Sequence, residues 1–308
     1  MRNVLALLLA LAAGCGGNHR IAGPIIPTEP LVIRQGNLSA PHPSENTPVV
    51  FHGQMLLVTG NLSGHGLTSG FDIVDFSSQQ LIQSVTVAQH FETVSAIVVD
   101  DVLYVFGSTM IMTNGGTALG GTILMVSSAD LVQWTSPVIA IKTSLSMGIG
   151  NTSVTAAPGG YVMAHDCLTG IDNYRTCFEF SLDLVTWTPA GSMFDPNEYS
   201  TSPTIRYLDG QYYLFVARLI QNGPVYPYYV TYIYRSTDLV TWERSHNGYA
   251  AISPMGDQLD GSATTDLDLV EFAGHVYITY LSGDQATWGL MRYATFQGTL
   301  AQFVELFF

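Results

Sequence analysis

Five similar strand-turn-strand units, a turn motif written three times and a strand-rich composition predict an all-β fold, a five-bladed β-propeller. The units read TPVVFHGQMLLVT from Thr47, SAIVVDDVLYVFG from Ser95, SVTAAPGGYVMAH from Ser153, SPTIRYLDGQYYLFV from Ser202 and DLDLVEFAGHVYITY from Asp266. They start 48, 58, 49 and 64 residues apart, a period that suits one four-stranded blade plus loops of varying length. In each, small or polar residues open a strand, Gly or Asp marks a hairpin turn, and an apolar or aromatic alternation follows.

The turn motif runs Ser236-Thr237-Asp238-Leu239-Val240-Thr241-Trp242, with earlier copies from Ser181 to Trp187 and from Ser128 to Trp134. Three of the four tryptophans therefore sit in one repeated element, which marks it as architecture rather than chemistry. Serine beside aspartate favours a turn through local side-chain to backbone hydrogen bonds, and the apolar pair and tryptophan favour a buried strand edge.

The chain of 308 residues is 47% apolar and only 11% charged, with no long apolar stretch of period 3.6, so strands and turns dominate. A net charge of −14 disfavours a nucleic-acid partner, because phosphate binding depends on clustered Lys and Arg. The acidity suits a neutral-sugar ligand or plain solubility equally.

Arg2 followed by an apolar run from Val4 to Ala13 is too short for a spanning helix and fits the core of a secretory signal. The run ends in Leu11-Ala12-Ala13-Gly14-Cys15, similar to a lipoprotein cleavage box with Cys15 as the lipidated residue; an ordinary signal peptide cut nearby is the alternative. The expected organisation is a signal peptide over 1–15, a tether over 16–40 and the propeller over 41–308, in an exported, membrane-anchored lipoprotein of the periplasm or cell surface. Cys167 and Cys177 flank a short hairpin. A turn at Asp172-Asn173 would set them opposite one another, and export makes a disulfide between them the expectation over two reduced, buried thiols.

Ligand sites favour the mouth of a propeller's channel, which the starts of the innermost strands line. The polar residues there are Glu45 and Asn46, His90 and Glu92, Asn151, Glu198 to Ser202, and Asp266 with Asp268. Carboxylates converging from several blades are costly unless paired or functional. Glycoside hydrolysis uses two of them, one protonated and one ionised. Period-2 spacing should put Asp266 and Asp268 on one face of their strand. Each residue also has a structural reading: Glu45 and Glu198 as solvated loop acids, Asp266 as a turn cap, His90 as a hydrogen-bonded structural histidine. Asp166, beside His165, falls at the far end of its strand and is expected on the opposite face from the mouth.

Near the C-terminus, Asp284 and Gln285 precede Trp288, the tryptophan outside the repeat. An aromatic face with polar neighbours suits a sugar ring, and a core tryptophan is the alternative. No motif carries metal-ligand spacing, a serine-nucleophile elbow, a dinucleotide fingerprint or a phosphate loop, so no metal or cofactor is expected.

The five units, the three SxDLxxW turns and the run DLDLVEFAGHVYITYLSGDQATWGLMRYATFQGTLAQFVELFF from Asp266 resemble the five-bladed propeller glycoside hydrolases of the furanosidase type, which include arabinanases and xylosidases. The GDQATWG string and the closing GTLAQFVELF resemble the end of a bacterial branch of that group. The resemblance implies a base or nucleophile aspartate opening the first blade, a second aspartate tuning the acid, and an acid glutamate near a proline in a later blade. Asn46-Thr47-Pro48 and Ser200-Thr201-Ser202-Pro203 stand where the first and last of these belong, leaving Glu45 and Glu198 as the nearest carboxylates.

Two functions follow as expectations. One is an exported glycoside hydrolase acting on a poly- or oligosaccharide, with Glu45, Glu198, Asp266 and Asp268 as acid and base, His90 assisting, and Asn46, Asn151, Asp284, Gln285 and Trp288 binding substrate. The other is a non-catalytic, carbohydrate-binding surface lipoprotein using the same basin.

Overall fold

The structure is a computed structural model that describes residues 33–38, 46–63, 67–87, 91–112, 118–143, 148–168, 174–195, 197–221, 228–248, 250–254, 260–284 and 289–308. It is nearly all β. The first strand, β1 (Ile33–Asn37), stands apart from its sequence neighbours and is placed below. One four-stranded antiparallel sheet follows, of β2 (Asn46–Phe51), β3 (Gln54–Ser63), β4 (Leu67–Asp75) and β5 (Leu81–Thr86). A second contains β6 (Glu92–Val99), β7 (Val102–Met112), β8 (Ala118–Ser128) and β9 (Val138–Lys142). A third contains β10 (Gly148–Ala157), β11 (Gly160–Leu168), β12 (Tyr174–Ser181) and β13 (Trp187–Pro189).

The remaining sheet has nine strands, in two antiparallel meanders. The first meander is β14 (Thr201–Leu208), β15 (Gln211–Leu219) and β16 (Tyr229–Ser236), edged by β17 (Glu243–Arg244) and β18 (Ala250–Ile252). The second is β19 (Ala263–Phe272), β20 (His275–Gly283) and β21 (Gly289–Gln297), with the N-terminal strand β1 added antiparallel to β21. A single parallel pair, Tyr229 with Ala263, joins the two meanders. The innermost strands neighbour one another in the cyclic order β2, β6, β10, β14, β19 and back to β2.

Apolar side chains of adjacent sheets meet in discrete clusters, such as Leu56, Val58, Phe71 and Ile73 with Phe91, Leu103 and Val105, all buried. The chain ends on helix α1 (Leu300–Glu305), which a reciprocal capping box between Thr299 and Gln302 starts. Its Leu300, Phe303 and Val304 pack with Phe307 against Leu269, Val276 and Ile278 of the last meander.

The repeated turns fold alike. Ser236 Oγ accepts from the Leu239 amide at 3.0 Å, and Asp238 Oδ1 accepts from the Val240 and Thr241 amides at 2.8 Å each. Asp183 repeats the pattern with Val185 and Thr186, and Asp130 with Val132 and Gln133. These bonds hold Leu131, Leu184 and Leu239 at φ of +62°, +65° and +61°, a conformation a branched residue adopts only when its neighbours fix it.

Four of the five innermost strands share a second device. The pairing register slips between Glu92 and Ser95, Gly150 and Thr152, Thr201 and Thr204, and Thr265 and Asp268. Within each slip one residue has positive φ: Thr93 at +52°, Asn151 at +20°, Ser202 at +52° and Asp266 at +50°. A bulge of this kind re-aims a side chain, and here it does so at the same level of successive sheets.

Cys167 and Cys177 are joined by a disulfide with a Cα separation of 5.9 Å. The hairpin register differs from a turn centred on Asp172-Asn173. Cys167 pairs with Arg175 and Cys177 with His165, so the cysteines are diagonal neighbours on one face rather than directly opposite.

Candidate functional site

The bulges gather polar side chains around a small central void, lined by Asn46, Asn151, Ser202, Thr204, Asp266 and Asp268 among others. About 20 Å3 is open to the centre of a water-sized sphere, room for about one water by the usual threshold of ~10–15 Å3. Only the tip of a ligand fits there, with the rest outside.

Asp166 is the residue the sequence reading misplaced. It was expected away from the mouth because it ends its strand. β11 runs antiparallel to β10, however, so its end returns to the level where β10 begins, and Asp166 pairs with Gly150 beside Asn151. Its carboxyl is completely buried. Oδ2 accepts from Thr201 Oγ1 at 2.7 Å and Asn151 Nδ2 at 2.9 Å, while Oδ1 has no partner. Burial pushes its pKa up to about 8, the nearby Asp266 carboxylate adds to the rise, and the Thr201, Ser202 and Asn151 hydrogen bonds partly oppose it.

Asp266 lies in front of it. It is half-buried, lines the void and accepts from Thr265 Oγ1 at 2.6 Å. Burial raises its pKa as well, against hydrogen bonds from Ser202 and Thr265. Asn151 Nδ2 also donates to Ser202 Oγ, at 3.1 Å. Asp166, Asn151, Ser202 and Asp266 thus form a chain of three hydrogen bonds, which spans at most about 9 Å. Two like charges this close in an enclosed site disfavour one another, and burial raises the pKa of both carboxyls, so the pair resists carrying two charges at once.

Asp268 also reaches the void, but through the bulge rather than by simple alternation from Asp266. It is ion-paired with Arg206 Nη2, and it accepts from the Leu269 amide at 2.7 Å. Arg206 further donates to the Leu269 carbonyl at 2.8 Å and to Ser153 Oγ at 3.2 Å, tying β10, β14 and β19 together. Asp268 is therefore a structural anion at the side of the site. Asn46 is buried at the start of β2, with both amide atoms free of protein partners, and so is Asn151 Oδ1. Buried polar atoms without partners at a void mark where a ligand or water group would bond.

Glu198 stands outside this cluster. Its side chain is 71% exposed and lies 3.4 Å from Arg218, which Asp195 holds at 2.7 Å. Its neighbour Tyr199 packs between Tyr174 and Tyr229, at ring separations of 5.6 and 6.0 Å. The Asp166 charge is among the groups that raise the Tyr199 phenol's pKa, after burial and Tyr229, so the residue next to Glu198 feels the central carboxyl. Asp284 is half-buried just past β20. Glu45, His90, Gln285, Trp288 and Cys15 lie outside the described residues. No group of three or more His, Cys, Asp or Glu side chains poised for a metal occurs among the described residues.

No family model matches the chain, and no curated protein does. Solved structures do match. A xylan β-1,4-xylosidase from Bacillus halodurans superposes with a TM-score of 0.62 at 14% identity over 82% of this chain and 52% of that one. The chain shares their fold. This chain spans about half the xylosidase's length but 98% of the Bacillus subtilis arabinanase Arb43A, which matches at TM-score 0.61 and 13% identity over 88% of this chain. An N-acetylgalactosamine deacetylase from F. plautii, in complex with blood group B trisaccharide, matches at TM-score 0.64 and 12% identity over 90% of this chain and 97% of that one. The propeller-like architecture is thus common to arabinanase- and xylosidase-type enzymes and this protein.

Proposed function

We propose that the chain is a five-bladed propeller and an exported glycoside hydrolase acting on a neutral poly- or oligosaccharide. The blade count is supported by five meanders with five cyclically ordered inner strands. The activity rests on one observation, the Asp166–Asp266 carboxyl pair at the void, both of whose pKa values burial raises; in this reading Asp166 holds the proton and Asp266 the charge. Carboxyl groups of glycosidases act at separations of ~5 to 9.5 Å, and the three-bond chain sets an upper limit of about 9 Å on this pair. Asp266 contacts the substrate. Asp166, which does not line the void, acts through it by holding a proton behind it. Glu198 before β14, or Glu45 before β2, supplies the second contacting carboxyl, with His90 assisting. Asn46, Asn151, Asp284, Gln285 and Trp288 bind sugar hydroxyls and ring faces.

The test is reducing-end release from a glycan panel by the parent, Asp266→Asn and Glu198→Gln. Loss of turnover by orders of magnitude in Asp266→Asn supports the assignment, and equal rates in all three refute it. A second reading, capture without cleavage, is favoured by one feature: among the described residues that line the void the only carboxylates are Asp266 and the neutralised Asp268. Glycan binding with no hydrolysis by the parent would establish it. Anchoring through Cys15 belongs to the same proposal, and Cys15→Ala should move the protein from the membrane to the soluble fraction.

A further inference from the structure

Copies of one motif should satisfy their hydrogen bonds alike, and two of the three tryptophan turns do. Trp134 Nε1 donates to the Leu131 carbonyl at 3.2 Å and Trp187 Nε1 to the Leu184 carbonyl at 3.0 Å. Both rings meet a phenylalanine edge to face, Trp134 on Phe71 and Trp187 on Phe106, at 75° and 83°. The third copy departs on both counts. Trp242 lies nearly parallel to Phe178, at 20°, with Phe194 against it at 84°, and its enclosed Nε1 has no partner.

The cause lies in the segment that climbs from β13 toward β14. The Ser192 amide takes the Leu239 carbonyl at 3.2 Å, which is the acceptor the indole would otherwise use. Gly191, at φ +61°, permits that approach, since a Cβ there would stand 2.5 Å from the Leu239 oxygen. A groove of about 520 Å3 opens beside the displaced ring, lined by Met193, Phe194, Asp195, Tyr234, Val240 and Trp242. That volume is typical of small-ligand sites, which run to ~300–1,000 Å3.

The chemistry of the walls selects the ligand. Arg218 holds Asp195 and lies over the Phe194 and Tyr234 rings at 5.0 and 5.5 Å, so the place a cationic ligand would take among these aromatics is filled from within. The net charge of −14 disfavours an acidic ligand. What fits is a neutral ring with an apolar face for the aromatics and hydroxyl groups for the indole N–H and Ser192. We propose that this lateral groove is a second glycan-binding site, separate from the central void, which takes a neutral saccharide segment. The inference rests on the reading that the protein handles carbohydrate. Val240, 55% exposed, and Met193 line the groove beside Trp242.

Indole N–H spectra of the 15N-labelled full chain test this, because the four tryptophans give four resonances and Trp242→Phe removes the one of interest. Xylotriose, arabinotriose and cellotriose are titrated into the parent, Asp266→Asn and Val240→Arg. The expected result is a saturable shift of the Trp242 resonance with at least one trisaccharide, retained in Asp266→Asn. Val240→Arg, which lays a charged chain across the groove from an exposed position, should weaken that binding about tenfold or more. No shift of Trp242 with any trisaccharide overturns the site, whatever the central carboxyls do. A shift that needs Asp266 also overturns it, since the signal then originates at the centre, and so does an equal shift with triglycine. Absence of hydrolysis alongside a retained Trp242 shift sinks the enzymatic reading and leaves this one standing.

Discussion

The aspartates of the outer turns and those of the centre are the same side chain in opposite states. Asp130, Asp183 and Asp238 are exposed, and each carboxylate accepts two backbone amides that hold its pKa below the ordinary value; the amide three residues on contributes most. Asp166 and Asp266 are shifted upward, and the first cause is burial. Solvated anions that cap turns recur with the repeat. The enclosed carboxyls occur once each around the ring, where the repeat's own needs do not explain them. Recurrence marks scaffold, and a costly exception to it marks the candidate site.

The sharpest way to break the comparison is to neutralise one aspartate from each set. Asp266→Asn should lower turnover about 10²–10⁴-fold, whereas Asp183→Asn should leave it unchanged. Equal effects on turnover would mean that the central pair is as structural as the turns.

Next in size is the dependence of stability on pH. Between about pH 4 and about pH 8 the folded chain holds a proton on Asp166 that the unfolded chain has released, so this group's contribution is full below the unfolded pKa and is lost as pH rises through the folded one. Melting curves of the parent should fall from pH 5 to pH 8, and those of Asp166→Asn, which cannot ionise, should fall much less. Parallel curves would show that Asp166 is ionised in the folded state.

The disulfide is the third test, because it clamps the end of the hairpin that carries Asp166. Closing a loop of sequence separation 10 contributes about 3 kcal/mol in the chain-entropy treatment. The double variant Cys167→Ala, Cys177→Ala should lose about that much in denaturant unfolding, and the Asp166-dependent pH slope should shrink as its enclosure loosens. An unchanged slope would mean that Thr201 and Asn151 alone keep the carboxyl in place.

The five units and the tryptophan turns were legible in the sequence because both rest on local chemistry: alternation, turn residues, and a serine and aspartate that bond their own backbone. Asn151 and Asp266 were legible as polar residues at the openings of the repeated units that start at Ser153 and Asp266. Asp166 was missed through a topological slip, since the end of a hairpin's second strand lies level with the start of its first. The Ala157–Gly160 turn carries that register in the sequence, and counting back from it reaches Gly150 once the bulge is allowed for. The neutralisation of Asp268 was not legible at all. Its partner Arg206 is 62 residues away, and only the packing of β14 beside β19 brings them together.

The smallest expected effect concerns the turns themselves. Asp183 is ionised in both states near neutrality but has a lowered pKa only when folded, so its contribution is present above about pH 4 and is lost as pH falls through the folded value. That is the reverse of Asp166. Asp183→Ala should lower the melting temperature by only about 2–4 °C at pH 7, because two other copies still brace their sheets, and the gap from the parent should narrow as pH falls through the folded value. A gap that persists in acid would assign the loss to packing around Leu184, held at positive φ by this turn, rather than to the carboxylate's charge.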